Sequence, residues 1–209
     1  MKLLREYIRA LLTEAAKGPA DLPDNVFVAV QDKGDRIRIF YAVEDPGTGK
    51  YVRADRASAG INGIIMVGPA YTKGSSKAGP CGGAWEVYSS NAKQGWGPML
   101  YDTAMELATQ RGGGLISDRA QVSRDAERVW VYYLSKRGDV QAHQLDSLED
   151  ELTPGVEEDN CYQGLARDHS YRTGPNMLKN WSESQFSKRY TKAPTTMNAL
   201  EVAGKLVML

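Results

Sequence analysis

Residues 84–98 of the 209-residue chain read AWEVYSSNAKQGWGP. Residues 84–89 are rich in aromatic and β-branched side chains, so they predict a strand. Residues 95–98 carry two glycines and a proline, which mark a turn, and the proline suits the first turn of a helix because its missing N–H is not needed there. Apolar residues at helical spacing continue to residue 110. The centre of the chain therefore predicts a strand, a glycine turn and a helix in succession.

Further strands are predicted on the N-terminal side of this centre. Residues 26–30 and 36–43 have strand composition, and the intervening Asp32-Lys33-Gly34-Asp35 is typical of a hairpin turn. Residues 61–67 predict another buried strand. Residues 68–83 are rich in Gly, Ser, Lys and Pro, which predicts a long surface loop.

On the C-terminal side, residues 115–117 predict a short strand, and Ser123 predicts the N-cap of a helix whose apolar face includes Trp130 and Tyr133. The last predicted elements are a strand over residues 187–192 and a helix over residues 197–206, capped by Thr195 or Thr196. Strands and helices in this order predict an α/β fold with a strand-rich first half.

The N-terminus has a pattern of its own. Residues 1–17 predict an amphipathic helix, which Gly18 and Pro19 end. It either packs on the following domain or serves as a separable docking or targeting segment. We accordingly divide the chain into this helix, a core over residues 18–138, and residues 139–209, an acidic loop, final strand and closing helix that complete the same domain.

Composition narrows the classes of partner and compartment. The 26 basic and 26 acidic side chains balance, so nucleic acid binding is not indicated for the whole chain. No segment approaches the roughly 20 apolar residues that cross a bilayer, so no membrane partner is expected. Cys81 and Cys161 are too few for a disulfide scaffold or a thiolate zinc site. We interpret them as free thiols of a cytoplasmic protein, with one disulfide as the alternative.

Charge is segregated in the last third. Residues 139–159 contain several acidic side chains and no Lys or Arg, whereas residues 167–192 are mainly basic. The two stretches are expected to face each other or solvent, and a functional acidic surface is the alternative. No metal site is predicted, because no Asp-x-Asp-x-Asp-Gly loop occurs.

A strand that leads through a Gly-x-Gly turn into a helix presents unpaired backbone N–H groups at the positive end of the helix dipole. Such a turn can hold phosphate groups, and the glycines at 95 and 97 allow close approach. Lys93 adds positive charge beside them. A tight turn without a ligand is the alternative.

Residues 92–108, together with residues 115–117 and 123–133, resemble the acyl-CoA-binding core of the GNAT superfamily of N-acetyltransferases. The resemblance implies a mixed, mostly antiparallel central sheet flanked by helices, with acetyl-CoA as acyl donor. The family's Arg/Gln-x-x-Gly-x-Gly/Ala turn departs here, because Ala92 takes the Arg/Gln place. Ser123 likewise takes the place of a family Asn. The resemblance covers about residues 26–138.

The resemblance also implies roles for individual residues. Glu86 would be the base that accepts the amine proton, and Tyr133 the acid that protonates the leaving thiolate. The structural alternatives are that Glu86 is an exposed carboxylate on a strand and that Tyr133 is a tyrosine packed in the core. The implied cofactor-binding residues are Val87, Tyr88, Lys93, Gln94, Gly95, Trp96, Gly97 and Ser123. The acceptor would be an amine of a small molecule or a protein.

Residues 1–14 resemble the short peptides that direct internal proteins into the proheads of tailed phages, and Leu12-Thr13-Glu14 fits their cleavage signal. This resemblance implies a phage protein with prohead or virion partners. A catalytically degenerate GNAT-like protein with a binding or structural role is the first alternative to an enzyme. A thiol enzyme that uses Cys81, with His143 or His169 as base, is the second.

Overall fold

The computed structural model describes residues 16–57, 60–70, 78–170 and 178–209. All but the last two residues of the predicted N-terminal helix, and the whole targeting segment over residues 1–14, lie outside the described residues. The chain folds into two compact units. Unit 1 comprises Met1–Met66, Ser89–Ala104 and Pro194–Leu209, and unit 2 comprises Val67–Tyr88 and Met105–Ala193.

A β-hairpin lies at the centre of unit 1, and its prediction is confirmed. Strands β1 (Phe27–Asp32) and β2 (Ile37–Glu44) pair antiparallel and are mostly buried. The turn holds Gly34 at a φ of 81°, where a side chain would be strained, and the Gly34 N–H donates to Asp32 Oδ1 at 2.8 Å. The hairpin thus follows from turn chemistry that is local in the sequence.

The edges of unit 1 differ from the prediction. Two short strands, β3 (Tyr51–Arg53) antiparallel to β2 and β9 (Leu206–Met208) parallel to β1, were not predicted. β9 begins at Leu206, the last residue of the predicted closing helix, and the structure limits that helix to Thr195–Val202. Thr195 and Thr196 lie inside that helix rather than capping it, because Pro194 takes the N-cap position without a side-chain hydrogen bond.

Three elements contribute residues to both units, and all three were predicted. They are β4 (Gly63–Pro69), β5 (Trp85–Ala92) and helix α1 (Gly97–Gln110). In unit 1, Gly63 lies where a Cβ would come within 2.8 Å of Leu100 Cδ1 and 3.0 Å of the Tyr41 ring. Glycine is therefore needed in this strand for close packing. The strand order within unit 1 is β4-β2-β1-β9, with β3 on β2.

Unit 2 contains both parallel and antiparallel strand pairs. β5 pairs parallel with β6 (Leu115–Ile116), and β8 (Lys188–Lys192) pairs antiparallel with β6 and with β7 (Val140–Gln144). β6 and β8 confirm their predictions, whereas β7 forms where the sequence predicted only an acidic loop. The strand order within this unit is β7-β8-β6-β5.

Two helices complete unit 2. Helix α2 (Arg124–Lys136) begins as predicted, because Ser123 Oγ accepts the Ala126 N–H at 3.3 Å. Helix α3 (Gly164–Ser170) was not predicted. The chain is thus an α/β protein with mixed strand pairing. Within the described residues, no helix has the length and apolar composition needed to cross a membrane.

Candidate functional site

The glycine turn after β5 lies in unit 1 and joins the strand to helix α1. Gly95 adopts a φ of 85°, which a residue with a side chain rarely does, and its carbonyl accepts the Lys17 N–H at 2.8 Å. The N–H groups of Gly95 and Gly97 donate to no acceptor among the described residues. A Cβ on Gly97 would meet only Ala92 Cβ, at 3.8 Å, so packing does not require glycine there. The turn therefore offers two free backbone donors at a helix N-terminus.

Trp96 anchors this turn to the core of unit 1. Its side chain is only 8% exposed, and its ring meets the Tyr41 ring edge-on with centroids 5.4 Å apart. The Tyr41 hydroxyl donates to the Trp96 carbonyl oxygen at 2.6 Å, and burial raises the pKa of Tyr41 above its ordinary range. Trp96 was predicted to bind the cofactor, but its indole packs inward against Tyr41.

An open cleft of about 540 Å³ lies beside the turn within unit 1. Lys93 Nζ donates to the Gly60 carbonyl at 2.6 Å, and the Lys93 N–H donates to the Asn62 carbonyl at 3.0 Å. Gln94 is exposed next to it. The cleft is lined by Ala54, Asp55, Gly60, Ile61, Asn62, Asn91, Ala92 and Lys93. Sequence reasoning found Lys93 but missed Ala54, Asp55 and residues 60–62, whose only signal is their place shortly before a strand.

Glu86 lies in the part of β5 that belongs to unit 2, opposite Ile116 of β6. It is 4% exposed, so the alternative of an exposed strand carboxylate is wrong. Glu86 Oε1 accepts the Arg119 N–H at 2.7 Å, while Oε2 is buried and has no hydrogen-bond partner within the described part of the chain. Burial raises the pKa of Glu86, against the opposing effects of the Arg119 N–H and the Arg119 charge. A buried carboxyl with one free oxygen and a raised pKa is suited to proton transfer.

Arg119 is the residue that sequence reasoning missed here. Its guanidinium is buried, and Nε and Nη2 donate to the Ser117 carbonyl and Oγ at 3.0 and 2.6 Å. Burial lowers the pKa of Arg119 to about 10, against the stabilising charges of Glu86 and Asp118. The one sequence signal was a charged pair, Asp118-Arg119, directly after a short buried strand.

Tyr133, the predicted acid, is a core side chain of unit 2. It is 2% exposed and packs with Trp130 and Tyr190, at centroid distances of 6.2 and 6.4 Å. The Arg137 guanidinium lies 5.4 Å from the centroid of its ring. Tyr133 is therefore packed in the core, which is the alternative that the apolar periodicity of its helix indicated.

The other predicted cofactor residues of unit 2 have structural contacts. Val87 is buried on β5, and the Tyr88 hydroxyl donates to the Pro69 carbonyl at 2.8 Å. Ser123 is occupied as the cap of helix α2. The predicted residues therefore fall into two groups, one around the glycine turn in unit 1 and one around Glu86 in unit 2.

The thiol-enzyme alternative is wrong. Cys81 is fully buried and bonded to Cys161 in a disulfide, so it presents no free thiol. His143 Nε2 lies 2.8 Å from Thr191 Oγ1, and His169 Nδ1 lies 3.2 Å from Glu127 Oε1. Among the described residues, no three His, Cys, Asp or Glu side chains come together as a metal would require.

The long loop before β5 contributes this disulfide. Cys81 and Cys161 pack with Ala84, Ile116 and Leu145 in a buried cluster of unit 2. Of the predicted surface loop over residues 68–83, residues 68–69 instead belong to β4, and residues 78–83 are held in the core at Cys81. The two cysteines therefore form the disulfide that was the alternative, and the expectation of free thiols is wrong.

Comparison with protein-family models, curated proteins and solved structures finds no match to the chain. Any function must therefore be argued from the residues and their geometry.

Proposed function

We propose that this chain is an acyl-CoA-dependent N-acyltransferase that transfers an acetyl group from acetyl-CoA to an amine by direct attack. The observation that carries the proposal is the buried Glu86 carboxyl, one oxygen of which receives no hydrogen bond from the residues that the structure describes. It lies on the strand that leads into the glycine turn. The resemblance to the GNAT core also supports the proposal, because it implies the same succession along the chain of a base on the strand, a glycine turn and a helix.

The residues of the turn fit the pyrophosphate of such a cofactor. The free N–H groups of Gly95 and Gly97 lie at the N-terminus of a helix of 14 residues, whose dipole favours an anion at that end. Lys93 carries a positive charge at the cleft beside them. These three residues would hold the cofactor, and acetyl-CoA, when bound, supplies a thioester whose acyl carbon an amine can attack.

Glu86 would act as the general base. Its raised pKa makes the carboxylate a better proton acceptor than an ordinary glutamate, and the free Oε2 is the atom available to take the proton. As the new C–N bond forms and the C–S bond breaks, the amine proton passes to Glu86. The thiolate then needs a proton from another donor, and burial of Tyr133 in the aromatic cluster favours solvent over that residue.

A second candidate is a non-catalytic GNAT-like phage protein with a binding or virion role. The observation that favours it is the burial of Trp96 and Tyr133, two side chains that an active site of this kind would expose. Its partners would be an acyl-CoA without turnover, or prohead proteins recognised through residues 1–14.

The test compares Glu86→Gln with the wild type in acetyl transfer to a panel of amines and in acetyl-CoA binding by calorimetry. We expect Glu86→Gln to lower the transfer rate by about a hundredfold or more, because a general base contributes about 10²–10⁴. Its affinity for acetyl-CoA should be unchanged. The matched control is Glu158→Gln, which changes an exposed glutamate and should leave both measurements unaltered.

Lys93→Ala completes the design, because it should weaken acetyl-CoA binding without abolishing it. Binding without transfer by the wild type would favour the second candidate. Absence of binding at millimolar acetyl-CoA would overturn the acyltransferase proposal.

A further inference from the structure

Helix α2 of unit 2 presents an exposed face that combines basic and apolar side chains. Positions 124, 128, 131 and 135 fall on one stripe of the helix, and they carry two arginines, a valine and a serine, all exposed. Val131 is 44% exposed, and Tyr132 and Leu134, on either side of it, are each 37% exposed. The helix face, as we define it, comprises Arg124, Arg128, Val131, Tyr132, Leu134 and Ser135.

Arg124 is the charge on the helix face that is available to a partner. Among the described residues its side chain has no hydrogen-bond or ion-pair partner, whereas Arg128 pairs with Asp125 at 3.2 Å. Glu127 of the same helix lies 3.2 Å from His169 and is directed away from this stripe. The helix face is therefore basic around Arg124.

The loop that follows β7 presents the opposite charge beside a second set of apolar side chains. Residues 146–159 contain seven acidic side chains and no Lys or Arg. Leu148, Leu152 and Val156 are each 42–43% exposed. Glu157, next to Val156, is exposed and has no side-chain partner within the described part of the chain. We define Leu148, Leu152, Val156 and Glu157 as the loop face.

Hydrogen bonds fix the conformation of this loop. The Asp146 carboxylate accepts the Leu152 N–H at 3.0 Å and the Thr153 N–H at 2.9 Å, and the Val156 N–H donates to the Thr153 carbonyl at 3.0 Å. The disulfide of Cys161 closes the end of the loop. A surface that is already ordered loses little conformational entropy when a partner binds to it.

Helix α3 contacts the elements that carry the two faces. Its His169 lies beside Glu127 of helix α2, and its Arg167 pairs with Glu149 and Glu151 of the loop. Both faces therefore belong to neighbouring parts of unit 2, and because both are exposed, they do not cover each other within one copy. The chain has no net charge, so two copies do not repel each other.

We propose that the partner for these surfaces is a second copy of this chain, with the helix face of each copy docked on the loop face of the other about a twofold axis. Val131 packs against Val156, and Arg124 lies opposite Glu157 at the rim, as in interfaces with an apolar centre and a charged border. The inference goes beyond the proposed function. Neither face contains Glu86 or the glycine turn, so association is measured without turnover.

The first arm of the test measures the mass of the full chain by sedimentation equilibrium at micromolar concentrations, where the wild type should be a dimer. Arg124→Glu and Glu157→Arg should each raise the dissociation constant by about a hundredfold or more, because like charges then face each other at both contacts. The matched controls reverse exposed charges of unit 1. Arg36→Glu and Glu201→Arg should associate like the wild type.

The second arm mixes the two charge-reversed variants in equal amounts. In a mixed dimer the new glutamate of one chain faces the new arginine of the other, and the unchanged Arg124 and Glu157 face each other at the second contact. The mixture should therefore form a one-to-one dimer, although neither variant associates alone. Only a reciprocal contact between these two faces predicts this recovery.

The third arm tests the apolar part. Val156→Ser should weaken association by about tenfold or more, because each contact loses a buried apolar side chain. The matched control is Val202→Ser, which alters a 92% exposed valine of unit 1 and should leave the dissociation constant unchanged.

A wild type that stays monomeric overturns the proposal, and so does a dimer that survives both charge reversals. A mixture that stays monomeric, or an assembly of more than two copies, overturns the reciprocal arrangement. Arg124→Glu places an acid in the first turn of helix α2, where the helix dipole favours it, so this variant should fold. If Glu157→Arg does not fold, Arg124→Glu and Val156→Ser with their controls decide. A failure of acetyl transfer changes none of these readings.

Discussion

The two units differ in how many charged side chains they bury. Unit 1 buries Asp102 and otherwise keeps its described Asp, Glu, Lys and Arg side chains at least partly exposed, as in the Arg53–Asp55 pair, whose side chains are 39% and 30% exposed. Among its described residues, unit 2 buries six Asp, Glu, His, Lys or Arg side chains, each with a hydrogen-bond or ion-pair partner. These are Glu86, Glu106, Arg119, Asp146, His169 and Lys192. Because a buried charge is tolerated only beside its partner, the stability of unit 2 should depend on individual ion pairs and on pH, while that of unit 1 should not.

The largest effect is expected from the pair of Glu106 and Lys192. Glu106 is completely buried on helix α1, and Lys192 Nζ donates to its Oε1 and lies 3.7 Å from Asp139 Oδ2. Lys192→Met leaves the Glu106 carboxylate buried without this cation. We expect the free energy of unfolding to fall by about 3–5 kcal/mol, measured by urea denaturation.

Two controls show whether burial is the cause. Arg128→Met breaks a pair whose side chains are 77% and 91% exposed, and it should change the free energy of unfolding by at most about 0.5 kcal/mol. The double variant Glu106→Leu/Lys192→Met should recover part of the lost stability. Equal effects of Lys192→Met and Arg128→Met would remove the distinction between the units.

A smaller, pH-dependent effect is expected at Asp146. This buried carboxylate accepts the N–H groups of Ser147 at 2.6 Å, Leu152 at 3.0 Å and Thr153 at 2.9 Å. Burial raises the pKa of Asp146, but the hydrogen bonds from Thr153, Leu152 and Ser147 outweigh it and hold the pKa below its ordinary value. Asp146→Asn should lower the free energy of unfolding by about 2 kcal/mol at pH 7, because bonds to a charged acceptor are lost.

The sign of the pH dependence follows from the lowered pKa. A group with a depressed folded-state pKa contributes its stability above its unfolded pKa of about 4 and loses it as the pH falls through the folded-state value. The gap between the wild type and Asp146→Asn should therefore be constant near neutral pH and close in acid. Exposed Glu158→Gln provides the baseline. A gap that widens in acid would contradict this account of the Asp146 loop.

The sequence predicted the parts of the fold that depend on neighbouring residues. The hairpin turn at Gly34, the glycine turn after β5 and the Ser123 cap each arise from a few consecutive side chains, and each was found where expected. The sequence did not show which distant segments pair with one another as strands. β9 binds β1 from the far end of the chain, and β7 is a strand only because β8 lies beside it.

The candidate site shows the same limit. The positions of Glu86 and of the glycine turn were predicted, because their strand and turn are local features. The burial of Glu86 was not predicted, since it depends on the Arg119 N–H and on a core that comes together only on folding. The pairing of Cys81 with Cys161 also joins residues 80 apart in the sequence. Composition favoured free thiols, because composition alone does not show that the two cysteines lie close together in the folded chain.

The smallest expected effect uses a matched pair of neutral hydrogen bonds, one in each unit. The Tyr41 hydroxyl of unit 1 donates to the Trp96 carbonyl at 2.6 Å, and the Tyr190 hydroxyl of unit 2 donates to the Gln185 carbonyl at 2.7 Å. Both tyrosines are almost completely buried. Phenylalanine keeps each ring in place and removes only the hydroxyl.

Tyr41→Phe and Tyr190→Phe should each lower the free energy of unfolding by about 1 kcal/mol, because each leaves one buried carbonyl without its donor. Urea denaturation at neutral pH measures both, and the wild type is the reference. Similar losses of unfolding free energy in the two variants would show that neutral hydrogen bonds stabilise both units equally. The difference between the units would then lie in their buried charges. A loss at Tyr190 larger by more than about 1 kcal/mol would show instead that the charge of Arg119 strengthens its neutral neighbours, because hydrogen bonds in a low dielectric polarise one another.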